Sequence, residues 1–228
     1  MALVRSASLT NISGSLGGMT FARNKGGLYV RNRSGTTNPN SPRQQAVRTA
    51  MANMSQLYAS ITNLQQGQWV AYASAVSVVN RLGESTKLSA HQHFVRSNVA
   101  RVTAGLAPVL NGPSELNLGT LSPVTITAIN TVNQTYSIGF NATDAWAETA
   151  GGALLVFAGA PRGNGVSFFK GPWKYSGLVN GAATPPTSPS TQGAIWPVSA
   201  GQRVWVRVVA TLADGRLTAD QIIFRQGV

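Results

Sequence analysis

The sequence predicts an α+β chain in three parts. These are an extended N-terminal hairpin or arm (residues 1–40), a three-helix middle (41–107) and a C-terminal antiparallel β-sandwich of immunoglobulin or fibronectin III character (114–228). Three observations carry this reading. Residues 1–83 hold eight basic side chains and no acid, inside a glycine-rich stretch too poor in apolar residues to bury a core. Between Ser41 and Ala107 apolar residues recur every three or four positions. After Pro113 the period shortens to two, and turn residues separate short apolar runs.

The arm alternates small apolar pieces, Met19-Thr20-Phe21 and Leu28-Tyr29-Val30, with Gly14, Gly17-Gly18, Gly26-Gly27 and Gly35. This spacing predicts a hairpin turning at Asn24-Lys25-Gly26-Gly27. A lone two-stranded hairpin is marginal in water, so it is expected to order on another surface, with Phe21, Tyr29 and Val30 as its assembly contacts. Asn38-Pro39-Asn40 then turns the chain.

Ser41-Pro42-Arg43-Gln44 reads as a helix start, with Ser41 as N-cap, Pro42 at the first helical position and Gln44 closing a capping box. Val47, Met51, Met54, Leu57, Tyr58 and Ile61 form its apolar stripe. Asn63-Leu64-Gln65-Gln66 offers a second start, with Trp69, Tyr72, Ala73, Val76 and Val79 on one face and a stop at Asn80-Arg81-Leu82-Gly83. Ser89-Ala90-His91-Gln92 begins a third helix that carries Phe94, Val95, Val99 and Val102 inward. Ala107-Pro108 and Asn111-Gly112-Pro113 mark a domain boundary. Beyond it the expected strands are Val124–Ile129, Thr135–Asn141, Ala153–Ala158, Arg203–Ala210 and Thr218–Arg225, with Thr184–Ser190 as an exposed loop.

Charge is unevenly distributed. Up to Arg101 there are eleven basic residues against one acid, Glu84; from residue 102 onward there are seven against five, within a total of +12 over 228 residues. Only 11% of residues are charged although 43% are hydrophobic, a composition suited to a surface covered by neighbours. The basic excess favours acidic partners, nucleic acid first, with Arg23, Lys25, Arg31, Arg33, Arg43 and Arg48 as candidate anion or nucleic-acid contacts. With no cysteine, disulfides and thiolate metal sites are excluded. The start lacks the apolar region of a secretory signal, and no run approaches the roughly 20 apolar residues of a membrane span, so synthesis in the cytoplasm as a soluble chain is expected.

No catalytic pattern emerges. His91 and His93 are the only histidines, and two helical positions apart they point away from each other, so no metal is expected. Asp144 and Glu148 are the closest acids, read as turn caps. The glycine doublets match no phosphate loop, because no Gly-x-x-x-x-Gly-Lys-Ser/Thr is present. Neither a cofactor nor a catalytic residue is assigned.

Three segments carry a resemblance: Ser13-Gly14-Ser15-Leu16-Gly17-Gly18-Met19-Thr20-Phe21, Arg23-Asn24-Lys25-Gly26-Gly27-Leu28-Tyr29-Val30-Arg31 and Asn38-Pro39-Asn40-Ser41-Pro42-Arg43-Gln44-Gln45-Ala46-Val47-Arg48. Leu64, Gln68 and Trp69, then Leu88, Phe94 and Val95, and finally Asp214-Gly215-Arg216-Leu217-Thr218 extend it. In these residues the chain resembles an uncharacterised family of tailed-bacteriophage and prophage proteins. The likeness covers about half the chain, mostly its N-terminal half, and implies a setting in a phage particle or its assembly rather than an activity.

The expected function is therefore a non-enzymatic structural protein of a tailed-phage virion, a capsid-associated minor or decorating subunit that staples neighbours through its arm. Its partners would be other virion proteins, capsid or tail subunits, in multiple copies or as a homo-oligomer, with a DNA contact through the basic residues and neither membrane nor small-molecule substrate. The alternatives are a sequence-nonspecific nucleic-acid-binding protein, a tail or connector component, or an adhesin using Trp146, Trp173, Tyr175 and Trp196 as a platform.

Overall fold

A computed structural model describes residues 2–3, 13–33, 38, 40–80 and 83–227. It is a mixed α and β structure of four helices and several antiparallel sheets. The chain divides into two compact units, Met1–Gln45 with Ser77–Leu88, and Ala46–Val76 with Ser89–Val228.

In the first unit, β1 (Ala2–Leu3), β2 (Gly14–Leu16), β3 (Met19–Asn24) and β4 (Gly27–Asn32) form one antiparallel sheet in the order β1-β4-β3-β2. The expected two-stranded hairpin is thus the centre of a four-stranded sheet. Gly17 and Gly18 have φ of +54° and +87°, the pair of left-handed residues that a two-residue turn between twisted strands needs. The β3–β4 turn falls where expected, and the Asn24 side-chain oxygen accepts a 2.9 Å bond from the Gly26 N–H. Pro39, in the turn expected before the first helix, lies outside the described residues. The same unit holds a small hairpin of β5 (Val78–Val79) and β6 (Ser85–Thr86). Asn80 and Glu84 close it: the Asn80 backbone donates to the Glu84 carbonyl at 2.9 Å and the Glu84 N–H donates to Asn80 Oδ1 at 3.0 Å.

Helix α1 (Pro42–Ser60) begins as predicted, with Ser41 and Gln44 exchanging bonds of 3.3 and 3.4 Å. Its stripe is buried only from Met54 onward; Val47 and Met51 are exposed, contrary to expectation. Helix α2 (Asn63–Ala75) starts one residue earlier than the sequence suggested, because Thr62 rather than Asn63 makes the reciprocal capping box with Gln65. It also ends sooner. Val76, Val78 and Val79 prefer extended backbone, so the chain leaves the helix at Val76 and Val79 joins β5 instead of the helical face. Arg81 and Leu82 of the expected stop lie outside the described residues. Helix α3 (Ala90–Thr103) is capped by Ser89 and Gln92 as predicted. Met54, Ile61, Trp69, Tyr72, Val76 and Phe94 form one core, bordered by Leu57, Tyr58, Val95, Val99 and Val102.

The punctuated segment after α3 lies inside the second unit. Trp69 Nε1 donates to the Leu110 carbonyl at 2.9 Å, the Gly112 N–H to Gln68 Oε1 at 3.0 Å, and Asn98 exchanges bonds of 2.7 and 3.0 Å with the Val109 backbone. Gly112 passes so close to the Gln68 backbone that a β-carbon would sit 2.6 Å from its carbonyl carbon. This proline- and glycine-rich stretch therefore holds to the helices through side chains that satisfy its backbone groups.

Seven strands follow. β7 (Thr125–Asn130), β8 (Thr135–Gly139) and β11 (Ser190–Gly193) make a three-stranded sheet ordered β11-β8-β7. β9 (Ala153–Gly159), β10 (Trp173–Asn180), β12 (Arg203–Thr211) and β13 (Gln221–Gln226) make a four-stranded sheet ordered β10-β9-β12-β13. A short helix, α4 (Ala145–Glu148), precedes β9. Ile126, Tyr136 and Ile138 from the first sheet share a single core with Leu154, Val156, Val206, Val208 and Ala210 from the second, and Trp146 is buried within it. β10 and β11 escaped the sequence reading. Trp173-Lys174-Tyr175-Ser176-Gly177 breaks strict alternation, and a register shift between Tyr175 and Gly177 shows why. Residues 184–189 form the expected exposed or half-exposed loop, whereas Ser190 opens β11.

Arg101 joins helices to strands. Only 4% exposed, it donates from Nε to the Ala107 carbonyl at 2.9 Å. Its Nη1 reaches the Gly151 and Leu212 carbonyls and Thr211 Oγ1, each at 3.0 Å. Burial lowers its pKa, with Asp214 acting in the opposite sense, and the carbonyl cage supplies what lost water would have given.

Candidate assembly surface

The β3–β4 register fixes which side chains meet. Phe21 lies opposite Val30, Arg23 opposite Leu28, Thr20 opposite Arg31 and Ala22 opposite Tyr29. Because alternate residues point to opposite faces, Met19, Phe21, Leu28 and Val30 share one face, joined by Leu16, which pairs with Met19. The other face carries Ser15, Thr20, Tyr29 and Arg31, with Ser15 and Thr20 hydroxyls 2.9 Å apart. Of the three predicted assembly residues, the fold therefore joins Phe21 and Val30 and turns Tyr29 the other way.

No first-unit residue from Ser13 onward whose side chain is described is buried. Leu16 is 76% exposed and Met19 46%. The six predicted cationic contacts are all exposed. Arg23 sits at the end of the apolar face, Lys25 in the turn, Arg31 on the Tyr29 face, and Arg33 beyond β4, where its N–H donates to the Gly18 carbonyl at 2.6 Å. Arg43 and Arg48 lie on α1.

A second arrangement was not anticipated. On the face of β12 turned away from the core, Arg203, Trp205 and Arg207 alternate with the buried valines. Arg203 lies over Phe224 at 5.2 Å and Arg207 over Phe157 at 4.9 Å. Trp205 packs between Phe169 and Phe224, with centroids 6.2 and 4.6 Å away. Arg162 covers the other side of the cluster, 5.8 Å from the Phe169 ring centre. The acids of this half are mostly engaged elsewhere. Glu115 and Asp214 pair with Arg216 at 2.6 and 2.7 Å, and Asp144 accepts from the Ser122 N–H and hydroxyl. A near-neutral sequence thus folds with a cation-rich face. The alternation Arg203-Val204-Trp205-Val206-Arg207-Val208 carries that signal.

The proposed aromatic platform is not assembled. Trp146 is fully buried against Phe140 and donates to Asp144, so it cannot serve an exposed adhesin surface. Trp173 packs on Phe169, Tyr175 on Phe157, and Trp196 lies under Lys174. His91 and His93 do diverge. His91 Nε2 is 2.9 Å from Ser55 Oγ, whereas His93 is buried against Tyr72. Burial first, and Arg96 second, push the His93 pKa down to about 4, with the Val76 backbone pulling the other way. No group of three metal-binding side chains occurs among the described residues, and none of their helices is long and apolar enough to cross a membrane. No family model, curated protein or solved structure matches the chain.

Proposed function

We propose that the protein is a non-enzymatic structural subunit of a tailed-bacteriophage virion, a capsid-associated minor or decorating component that staples neighbours through its N-terminal sheet. One observation carries the reading: a four-stranded sheet without a buried described side chain gathers Leu16, Met19, Phe21, Leu28 and Val30 on one face. Such a face gains the free energy of apolar burial only against another surface. Its short edge strand β2 also offers backbone groups for strand addition by a partner. The setting comes from the likeness of residues 13–31 and 38–48 to phage-borne proteins. In the same reading, α1–α3 form a three-helix domain and β7–β13 an immunoglobulin- or fibronectin III-like sandwich, supported by the single core drawn from both sheets.

Mass spectrometry of gradient-purified particles, before and after nuclease and high salt, tests this function. Retention in many copies per particle is expected, and Phe21→Asp together with Val30→Asp should abolish incorporation. Absence of the wild-type chain from particles would overturn the reading.

A second reading, sequence-nonspecific binding of nucleic acid, is favoured by Tyr29 and Arg31 sharing a face and by the exposure of all six candidate cations. Affinity for DNA should then fall by orders of magnitude between about 50 and 200 mM salt, and Arg31→Gln with Arg33→Gln should flatten that slope. Salt-insensitive binding would count against it.

A further inference from the structure

Within the second unit, helix α3 and the outward face of β12 border a cleft of about 400 Å³, in the lower range of small-molecule pockets. Its walls are Met51, Val95, Val99, Ala100, Val209 and Leu217, aliphatic throughout and without an aromatic ring. Its polar lining residues are Arg96, Arg207, Thr218 and a single acid, Asp220.

The two cations are incompletely neutralised. Among the described residues Arg96 donates to two backbone carbonyls, those of Leu217 at 3.3 Å and Thr218 at 3.5 Å, and shares the charge of Asp220 with Arg207. Arg207 lies over Phe157, its Nη1 is 4.0 Å from Asp220 Oδ2, and its Nε is buried without a hydrogen-bond partner among the described residues. A buried donor left unpaired is costly, and a guanidinium held against a ring has lost much of its freedom to seek water. The cleft thus combines an aliphatic body with one unmatched positive charge at a fixed place.

We propose that this cleft binds a small amphipathic anion, an alkyl carboxylate whose chain lies along Val95, Val99 and Val209 and whose head group pairs with Arg207 and Arg96. The aliphatic lining selects an alkyl body over a stacked aromatic one. The surplus guanidinium selects the sign of the head group. This goes beyond the virion reading and does not depend on it.

The test compares two probes that share a tail and differ in charge, dodecanoate and dodecyltrimethylammonium, titrated calorimetrically into the full chain below their micelle concentrations. One site should bind dodecanoate about tenfold or more tighter, the range of a charge-assisted hydrogen bond. Arg207→Gln should erase that preference. Met51→Glu, at a half-exposed helical position on the cleft wall, should weaken dodecanoate about fivefold by bringing in a like charge, and it keeps the test decisive if the Arg207 variant fails to fold. Equal affinity for both probes, no binding of dodecanoate, or a preference that survives Arg207→Gln would overturn the proposal.

Discussion

Both units contain antiparallel sheets and hold them by different means. The first has a four-stranded antiparallel sheet with regular ladders and two tight turns, yet no residue in it from Ser13 onward whose side chain is described is buried. The second surrounds its strands with a continuous core and satisfies its irregular stretches with buried side chains such as Arg101, Asn98 and Trp69. Net stabilisation from a backbone hydrogen bond is small because water competes for both partners; burial of apolar surface provides most of the rest. A sheet can therefore be well formed in outline and depend on a partner for stability, which is the physical content of calling it an assembly element.

The comparison is broken most sharply at Arg101. Arg101→Ala would leave the carbonyls of Ala107, Gly151 and Leu212 and the Thr211 hydroxyl without their buried donor. A loss on the order of 3 kcal/mol is expected, read as a lower urea midpoint for the second unit. Leu154→Ala is of comparable size. Leu154 is fully buried in the core common to both sheets, and truncation should cost about 2–5 kcal/mol through lost transfer energy and a cavity. If either change left the urea midpoint unaltered, the second unit would not be the well-packed half.

Much of the helical and strand structure was legible in the sequence. Local signals sufficed where one residue type has one physical use: Ser41 with Gln44 and Ser89 with Gln92 make the caps their spacing implied. Ala153–Ala158 reads as a strand, and the structure forms it over Ala153–Gly159, buried almost throughout. Signals failed where the decision was tertiary. Val47 and Met51 satisfy the helical period of α1, but periodicity cannot say where a core stops. Trp173–Asn180 is a strand whose irregularity at Ser176 obscures the alternation. Phe21, Tyr29 and Val30, the residues proposed for assembly, lie on adjoining strands, and only the register separates Tyr29 from the other two. The Arg203–Arg207 face was missed because net charge per segment averages away a polarity that folding creates.

A smaller effect concerns pH and belongs to the second unit alone. His93 titrates near 6.5 when unfolded and at about 4 when folded, so between these values the unfolded chain binds more protons. The stability it contributes is present above about pH 6.5 and is lost as pH falls through 4. Arg96, facing it, reinforces the depression. Urea melts at pH 7 and 4.5 should differ by about 2 kcal/mol from this group, and His93→Phe should remove most of that dependence. An unchanged slope in the variant would mean that the buried ring is not the group being titrated.

The smallest effect sharpens the comparison from the other side. Phe21 and Val30 face each other across β3 and β4, but both are only half-buried, and the isolated chain buries none of the residues around them in the first unit whose side chains are described. Truncating Phe21 to Ala should therefore cost under about 1 kcal/mol in the free protein, against the several expected at Leu154, because little apolar surface leaves water when this sheet forms alone. Hydrogen exchange gives the independent measure. Amides of β3 and β4 should exchange far faster than those of β9 and β12, since opening the first unit exposes no core and opening the second exposes all of it. Slow exchange in β3 and β4 of the free chain would show that the sheet carries its own stability, and would remove the reason for assigning it a partner.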